Sequence, residues 1–153
     1  GGKTEIGWAG SGGGFSNNYD LPPWQNMLKS PFVKRSFPDV SFNADPQSGE
    51  AIWARTALDP IPTWKVVGGT SMAAPQWAGF LALVNEARQD RGVKNIGFLN
   101  PILYQSSDTE KTAMFVDVVE GNNGSYQAKL GWDGVTGWGS LRAYAMAEYL
   151  CNK

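Results

Sequence analysis

Apolar positions cluster most densely between residues 71 and 91. Trp77, Ala78, Phe80, Leu81, Ala82, Leu83, Val84 and Ala87 surround much of a helical cylinder there. Asn85 is the first polar residue after Gln76, and Glu86, Arg88, Asp90 and Arg91 gather at the end. This predicts a helix over 71–91 with its first turns buried on most sides and its last turns exposed, closed by Gly92. Shorter apolar runs between Pro and Gly breaks predict strands at 38–46, 51–54, 63–67 and 112–119. Residues 99–104 predict a short helix with Pro101 at its first position. Residues 141–150 predict an amphipathic closing helix with Ser140 as its cap. The first ~40 residues read as loop, because Gly10-Ser11-Gly12-Gly13-Gly14-Phe15-Ser16 is too flexible for an element interior. A short helix at 24–29, ended by Ser30-Pro31, interrupts that loop. Turn signals fall at 47–49 and 120–125, residues 131–139 form a glycine-rich loop, and no internal repeat is visible.

The strand at 63–67 runs straight into Gly68-Gly69-Thr70-Ser71-Met72-Ala73-Ala74-Pro75-Gln76. Strand, glycine turn, serine and helix form the context that a nucleophile elbow needs. The glycines permit a sharp turn and close approach to a ligand. The helix then aims its N-terminal N–H groups and positive dipole end at the serine, where acyl transfer develops negative charge. A second reading of the same residues is an ordinary helix start, with Thr70 or Ser71 as cap and Pro75 in the first turn.

Composition narrows the chemistry. The chain has 153 residues, 42% hydrophobic and 18% charged, with a formal net charge of -1. That length supports one domain with a real core. The charge content excludes a disordered chain, and no basic stretch suits a phosphate backbone. Histidine is absent, which removes the commonest neutral-pH base and zinc ligand. Proton transfer must therefore use carboxylates, Lys, Tyr or an outside group. No apolar run approaches the ~20 residues of a membrane span. The single cysteine, Cys151, cannot form an internal disulfide; it stays free or bonds another chain. The chain starts Gly1-Gly2-Lys3 with no initiator Met, as a processed product or fragment does.

Asp117 lies near a predicted strand end, and Asp133 lies in the glycine-rich loop. Two carboxylates plus loop carbonyls satisfy calcium, which prefers hard oxygen ligands. Aspartates in turns also commonly bond only the backbone. Asn123-Gly124-Ser125 reads either as a glycosylation sequon or as a plain Asn-Gly turn.

Residues 68–75 resemble the Gly-Thr-Ser-x-x-x-Pro nucleophile motif of the subtilisin-like superfamily. Histidine-type members usually carry histidine after the proline, where this chain has Gln76. The sequence is instead similar to the sedolisins, or serine-carboxyl peptidases, over nearly its whole length. Residues 11–16, Pro38-Asp39-Val40-Ser41 with Ala44-Asp45-Pro46, residues 68–75, Leu99-Asn100-Pro101, and the segments 115–124 and 131–139 all occur in sedolisin order.

The resemblance implies an α/β fold: part of a subtilisin-like parallel-sheet fold with flanking helices, plus a C-terminal calcium loop. Residues 1–153 then form the C-terminal portion of a sedolisin-like catalytic domain. It implies a peptidase, either endopeptidase or tripeptidyl-peptidase, working at acid pH with Ser71 as nucleophile. A glutamate takes the serine proton, an aspartate orients that glutamate, and a protonated aspartate donates to the oxyanion. Neighbouring carboxyl groups have split pKa values, so one serves as base and another as acid. In the family these three carboxyl groups precede the segment matched here. The chain alone is therefore expected to be inactive, with an N-terminal chain or segment as partner and Cys151 as a candidate interchain disulfide. Glu50, Asp45, Asp39 and Asp59 are read as solvated or turn-forming. The implied Ca2+ ligands are the carboxylates of Asp117 and Asp133 and the carbonyls of Val118, Lys129 and Gly131. Lys129 stands where many members have glycine; only its carbonyl is needed, with its charge directed away from the ion. The sequon at Asn123, in an expected exposed turn, suits a secreted or acidic lysosome-like location. The competing readings are a non-catalytic calcium-stabilised binding domain and a histidine-type subtilisin-like peptidase fragment.

Overall fold

A computed structural model describes residues 4–28 and 33–153. Helices and strands are mixed, with three two-stranded antiparallel ladders. The first joins β1 (Gly14–Asp20) to β2 (Lys34–Phe37). Residues 14–16 therefore lie in a strand, not the expected loop, because pairing of Gly14 with Phe37 and Phe15 with Ser36 satisfies their backbone. The expected helix at 24–29 is a 3-10 turn over Pro23–Leu28; Lys29 to Phe32 lie outside the described residues.

β3 (Glu50–Thr56) and β4 (Asp59–Val67) form a hairpin matching the second and third expected strands. Residues 38–46 differ from expectation. They form no continuous ladder, only a parallel bridge from Ser41 to Ser140, and Pro46–Ser48 is a 3-10 turn capped by Asp45. Parallel pairing among the described residues is confined to this bridge and one from Gly7 to Gly121.

α1 (Thr70–Asp90) is the long expected helix, closed by Gly92 at φ +70°. Its environment is a correction. Only Trp77, Val84 and Arg88 are buried, while Ala74, Pro75, Ala78, Gly79, Ala82 and Leu83 are exposed. Among the described residues, that small-residue face is left open to solvent.

α2 (Leu99–Gln105) begins two residues before Pro101. α3 (Asp108–Met114) replaces the first three residues of the strand expected at 112–119. Its start is set by a capping box: Ser107 Oγ accepts from the Glu110 amide, and the Glu110 carboxylate accepts from the Ser107 amide at 2.6 Å. Only β5 (Phe115–Val116) remains as strand, paired with β6 (Ser140–Leu141). Ser140 is thus a strand residue and not a cap; α4 (Ala143–Cys151) starts after Arg142. Ser107→Ala is expected to cost about 1 kcal/mol, read as a lower urea midpoint in the complete protein. An unchanged midpoint would show that the cap adds nothing to the contacts of Lys111 and Met114 that hold α3.

The core lies between the helices. Trp77 and Val84 of α1 meet Leu103 of α2, Met114 of α3, and Met146, Leu150 and Cys151 of α4. Each fully buried Leu or Met contributes roughly 1.5–3 kcal/mol. Two buried cations tie helix ends into this core. Arg88 donates to Lys94 O at 2.7 Å and to Leu150 O, satisfying a carbonyl at the end of α4. Lys111 donates to Tyr104 O at 3.2 Å and to Ser106 O, doing the same for α2. Burial pushes the Lys111 ammonium below its ordinary pKa.

Candidate functional site

β4 delivers the chain into Gly68 and Gly69, and α1 starts at Thr70. Gly69 has φ +92°, a conformation that L side chains rarely adopt. A Cβ on Gly68 would lie 2.6 Å from the backbone of Pro46, so only glycine fits. The Gly69 amide donates to Ala44 O at 2.5 Å, resting the turn on the 41–46 segment. Two more bonds strap the helix to that segment: Gln76 Nε2 to Asn43 O at 3.3 Å and Trp77 Nε1 to Ser41 O at 3.0 Å.

Ser71 is the second residue of α1 and is exposed. The cap reading fails: the N-cap is Gly69, with no side-chain cap bond. The first amides of a helix have no intrahelical acceptor, and its dipole places positive potential there. Among the described residues no carboxylate bonds the Ser71 hydroxyl. Thr70, Ala73 and Trp77 instead line an open cleft of about 1550 Å³ whose other walls include Glu5, Ser41 and Asp45.

The four carboxylates read as solvated or turn-forming divide. Asp45 caps the 3-10 turn, Asp59 pairs with Lys65 at 2.6 Å, and Glu50 pairs across the hairpin to Val67 through its backbone. Asp39 is a correction. Its carboxylate accepts from the Tyr104 hydroxyl at 2.7 Å and from Arg35. Tyr104 is fully buried and also accepts from Gln25 at 2.9 Å. Burial first, then the Asp39 charge, pushes the Tyr104 phenol far above its ordinary pKa. No local pattern revealed this network, since Gln25, Asp39 and Tyr104 are far apart in sequence. It fixes the start of the 38–46 segment, and therefore the support beneath Gly69.

The five expected calcium ligands lie on two adjoining stretches. Asp117 Oδ2 accepts from the Gly131 amide at 2.8 Å, while Asp117 Oδ1 is buried with no hydrogen-bond partner. Asp133 is 1% exposed. Its Oδ1 accepts from the amides of Val135 and Thr136, both at 2.8 Å, and its Oδ2 from the Lys129 amide at 2.9 Å. Val118 is buried and Lys129 exposed. Gly131 takes φ +76°. Among the described residues no three His, Cys, Asp or Glu side chains gather as a metal cluster. A site of two carboxylates and three carbonyls needs no such cluster. The partnerless Asp117 oxygen fits a hard cation, because a buried carboxylate oxygen left unsatisfied is costly.

Sequence reading missed the use made of Asn123. Its Nδ2, the atom a glycan would take, donates to Gly134 O at 3.0 Å. Cys151 is a buried free thiol within the core.

A glycine turn followed by an exposed serine at the head of a helix is the local arrangement expected of the subtilisin-like class. No protein-family model matches the chain. Individual relatives do. Mouse tripeptidyl-peptidase 1 is 36% identical over 160 residues, covering 93% of this chain and 28% of the relative. Kumamolisin of a Bacillus species is 39% identical over 143 residues, covering 85% and 23%. Sedolisin of a Pseudomonas species is 34% identical over 147 residues, covering 94% and 23%. A solved structure of Pseudomonas sedolisin, a serine-carboxyl proteinase complexed with two molecules of pseudo-iodotyrostatin, superposes with TM-score 0.77 at 31% identity. That match spans 92% of this chain and 36% of the solved one. The chain belongs to the sedolisin family. It spans about a quarter of the length of the curated relatives it matches.

Proposed function

We propose that this chain is the C-terminal part of the catalytic domain of an acid-acting serine-carboxyl peptidase and supplies its nucleophile, Ser71. The observation that carries this reading is the exposed serine at the head of a 21-residue helix, directly after positive-φ Gly69, in a chain related to peptidases. Ser71 Oγ attacks the scissile carbonyl carbon. Its proton passes to a glutamate on an upstream segment or partner chain, oriented there by an aspartate, and then to the leaving amine as the C–N bond breaks. Water hydrolyses the resulting ester by the same route and restores the hydroxyl. The start of α1 and a protonated aspartate on the partner stabilise the oxyanion. The exposed small-residue face of α1 supports a further body of protein against this chain.

The Asp117 and Asp133 carboxylates and the Val118, Lys129 and Gly131 carbonyls would hold Ca2+. When bound, the ion supplies positive charge that joins the two loop stretches and plays no chemical part at Ser71. The carboxylate chemistry suits a secreted or acidic lysosome-like setting. Independently, no described helix is long and apolar enough to cross a membrane.

A fluorophosphonate probe is expected to label Ser71 in the complete protein, with peptidase activity rising as pH falls below ~5. A complete protein unlabelled at Ser71 would support a non-catalytic calcium-stabilised domain. Activity peaking at neutral pH would indicate a histidine base.

A further inference from the structure

We propose that Asn123 is a positioning residue that aims the Asp133 carboxylate, acting through the peptide between Gly134 and Val135. This rests on the calcium reading above. The Asn123 side chain first builds its own turn: Oδ1 accepts from the Ser125 amide at 3.2 Å and the Tyr126 amide at 2.9 Å. The main chain closes the turn with Asn123 N to Tyr126 O at 3.1 Å. The remaining donor reaches across to the second loop, Nδ2 to Gly134 O at 3.0 Å. That carbonyl belongs to the peptide unit whose N–H is Val135 N. Val135 N donates to Asp133 Oδ1 at 2.8 Å.

In a planar trans peptide the C=O and N–H point in opposite directions. Holding the Gly134 carbonyl towards Asn123 therefore aims the Val135 amide at the carboxylate. Without that hold the peptide can rotate, and Asp133 Oδ1 loses one of its two 2.8 Å amide donors. The Tyr126 ring further confines this peptide, since a Cβ on Gly134 would lie 3.0 Å from it. Partners one step removed from a metal commonly change its affinity by about 10–100-fold.

Asn123→Ser keeps an acceptor for the turn and removes the reach to Gly134. Asn123→Asp keeps the side-chain shape and removes the donor. The complete protein would be melted across buffered calcium concentrations, with a chelator sample as baseline. Both variants are expected to raise the calcium concentration giving half the thermal shift by about tenfold or more, with the chelator baseline little changed. If Asn123→Asp does not fold, Asn123→Ser decides. A purely structural role would lower the baseline and leave the calcium midpoint in place, which overturns the proposal. A wild-type protein with no calcium-dependent shift would overturn the calcium reading itself, and the positioning role with it.

Discussion

Replacing Ser71 by alanine in the complete protein is expected to lower kcat for peptide hydrolysis by at least about 10⁴-fold, with Tm nearly unchanged. The stability half follows from local structure. Ser71 is exposed, caps nothing, and sits at the second position of α1, where alanine is a good helix former. The activity half follows from the reaction, in which no other group can form the ester. Thr70→Ala is the control: a neighbouring exposed hydroxyl whose loss should leave most activity. A Ser71→Ala protein retaining a tenth of wild-type kcat would end the nucleophile assignment. A Tm falling by many degrees would mean that the serine is holding the turn instead.

Asp117→Asn is expected to abolish calcium-dependent stabilisation while sparing the calcium-free fold. Asparagine keeps an oxygen for the Gly131 amide and removes charge from an oxygen that is buried without a partner. Calcium-free stability should hold or rise, since the buried unpaired charge is gone. The calcium increment, about 2.7 kcal/mol at a hundredfold excess over Kd, should disappear. For a domain of about 150–250 residues that is roughly 5–11 °C of Tm, and less for a longer one, measured with and without chelator. Asp133 behaves differently. It accepts from the amides of Lys129, Val135 and Thr136, so its replacement damages the loop with or without calcium. A full calcium shift surviving in Asp117→Asn would remove Asp117 from the ligand set.

The glycine turn and the helix it feeds were legible because their signals are local. Glycines at 68 and 69, a serine two places on and an apolar run after it need no distant partner to be interpreted. The α3 error shows a local signal outweighed. Ser107 and Glu110 have capping-box spacing, yet the β-branched run after Met114 dominated the reading and pulled the strand too far back. β1 was missed because its glycine-rich start is ordered only by pairing with residues near 36. The α1 face was misjudged for a different reason. Apolar periodicity reports which residues can be buried, but exposure depends on what stands opposite. Asp39 was read as solvated or turn-forming and Asn123 as a sequon or a plain turn; Asn123 does build its turn, but the distant bonds of both were missed. Their actual partners, Tyr104 for one and Gly134 for the other, are fixed by folding and leave no trace in spacing.

The 38–46 segment also sets an order of events during synthesis. Its ties to the C-terminal loops are long in sequence: Trp132 Nε1 to Pro38 O joins residues 94 apart, and Trp138 N to Asp39 O and Ser41 N to Gly139 O, at 2.9 and 3.0 Å, extend the seam. Contacts of such separation close late, because the loop entropy must be met first. A chain still leaving the ribosome thus presents Ser71 before the 38–46 segment beneath its glycine turn is seated. Residues 132–139 secure that seat, so the glycine turn gains its rigid setting only after they have been made.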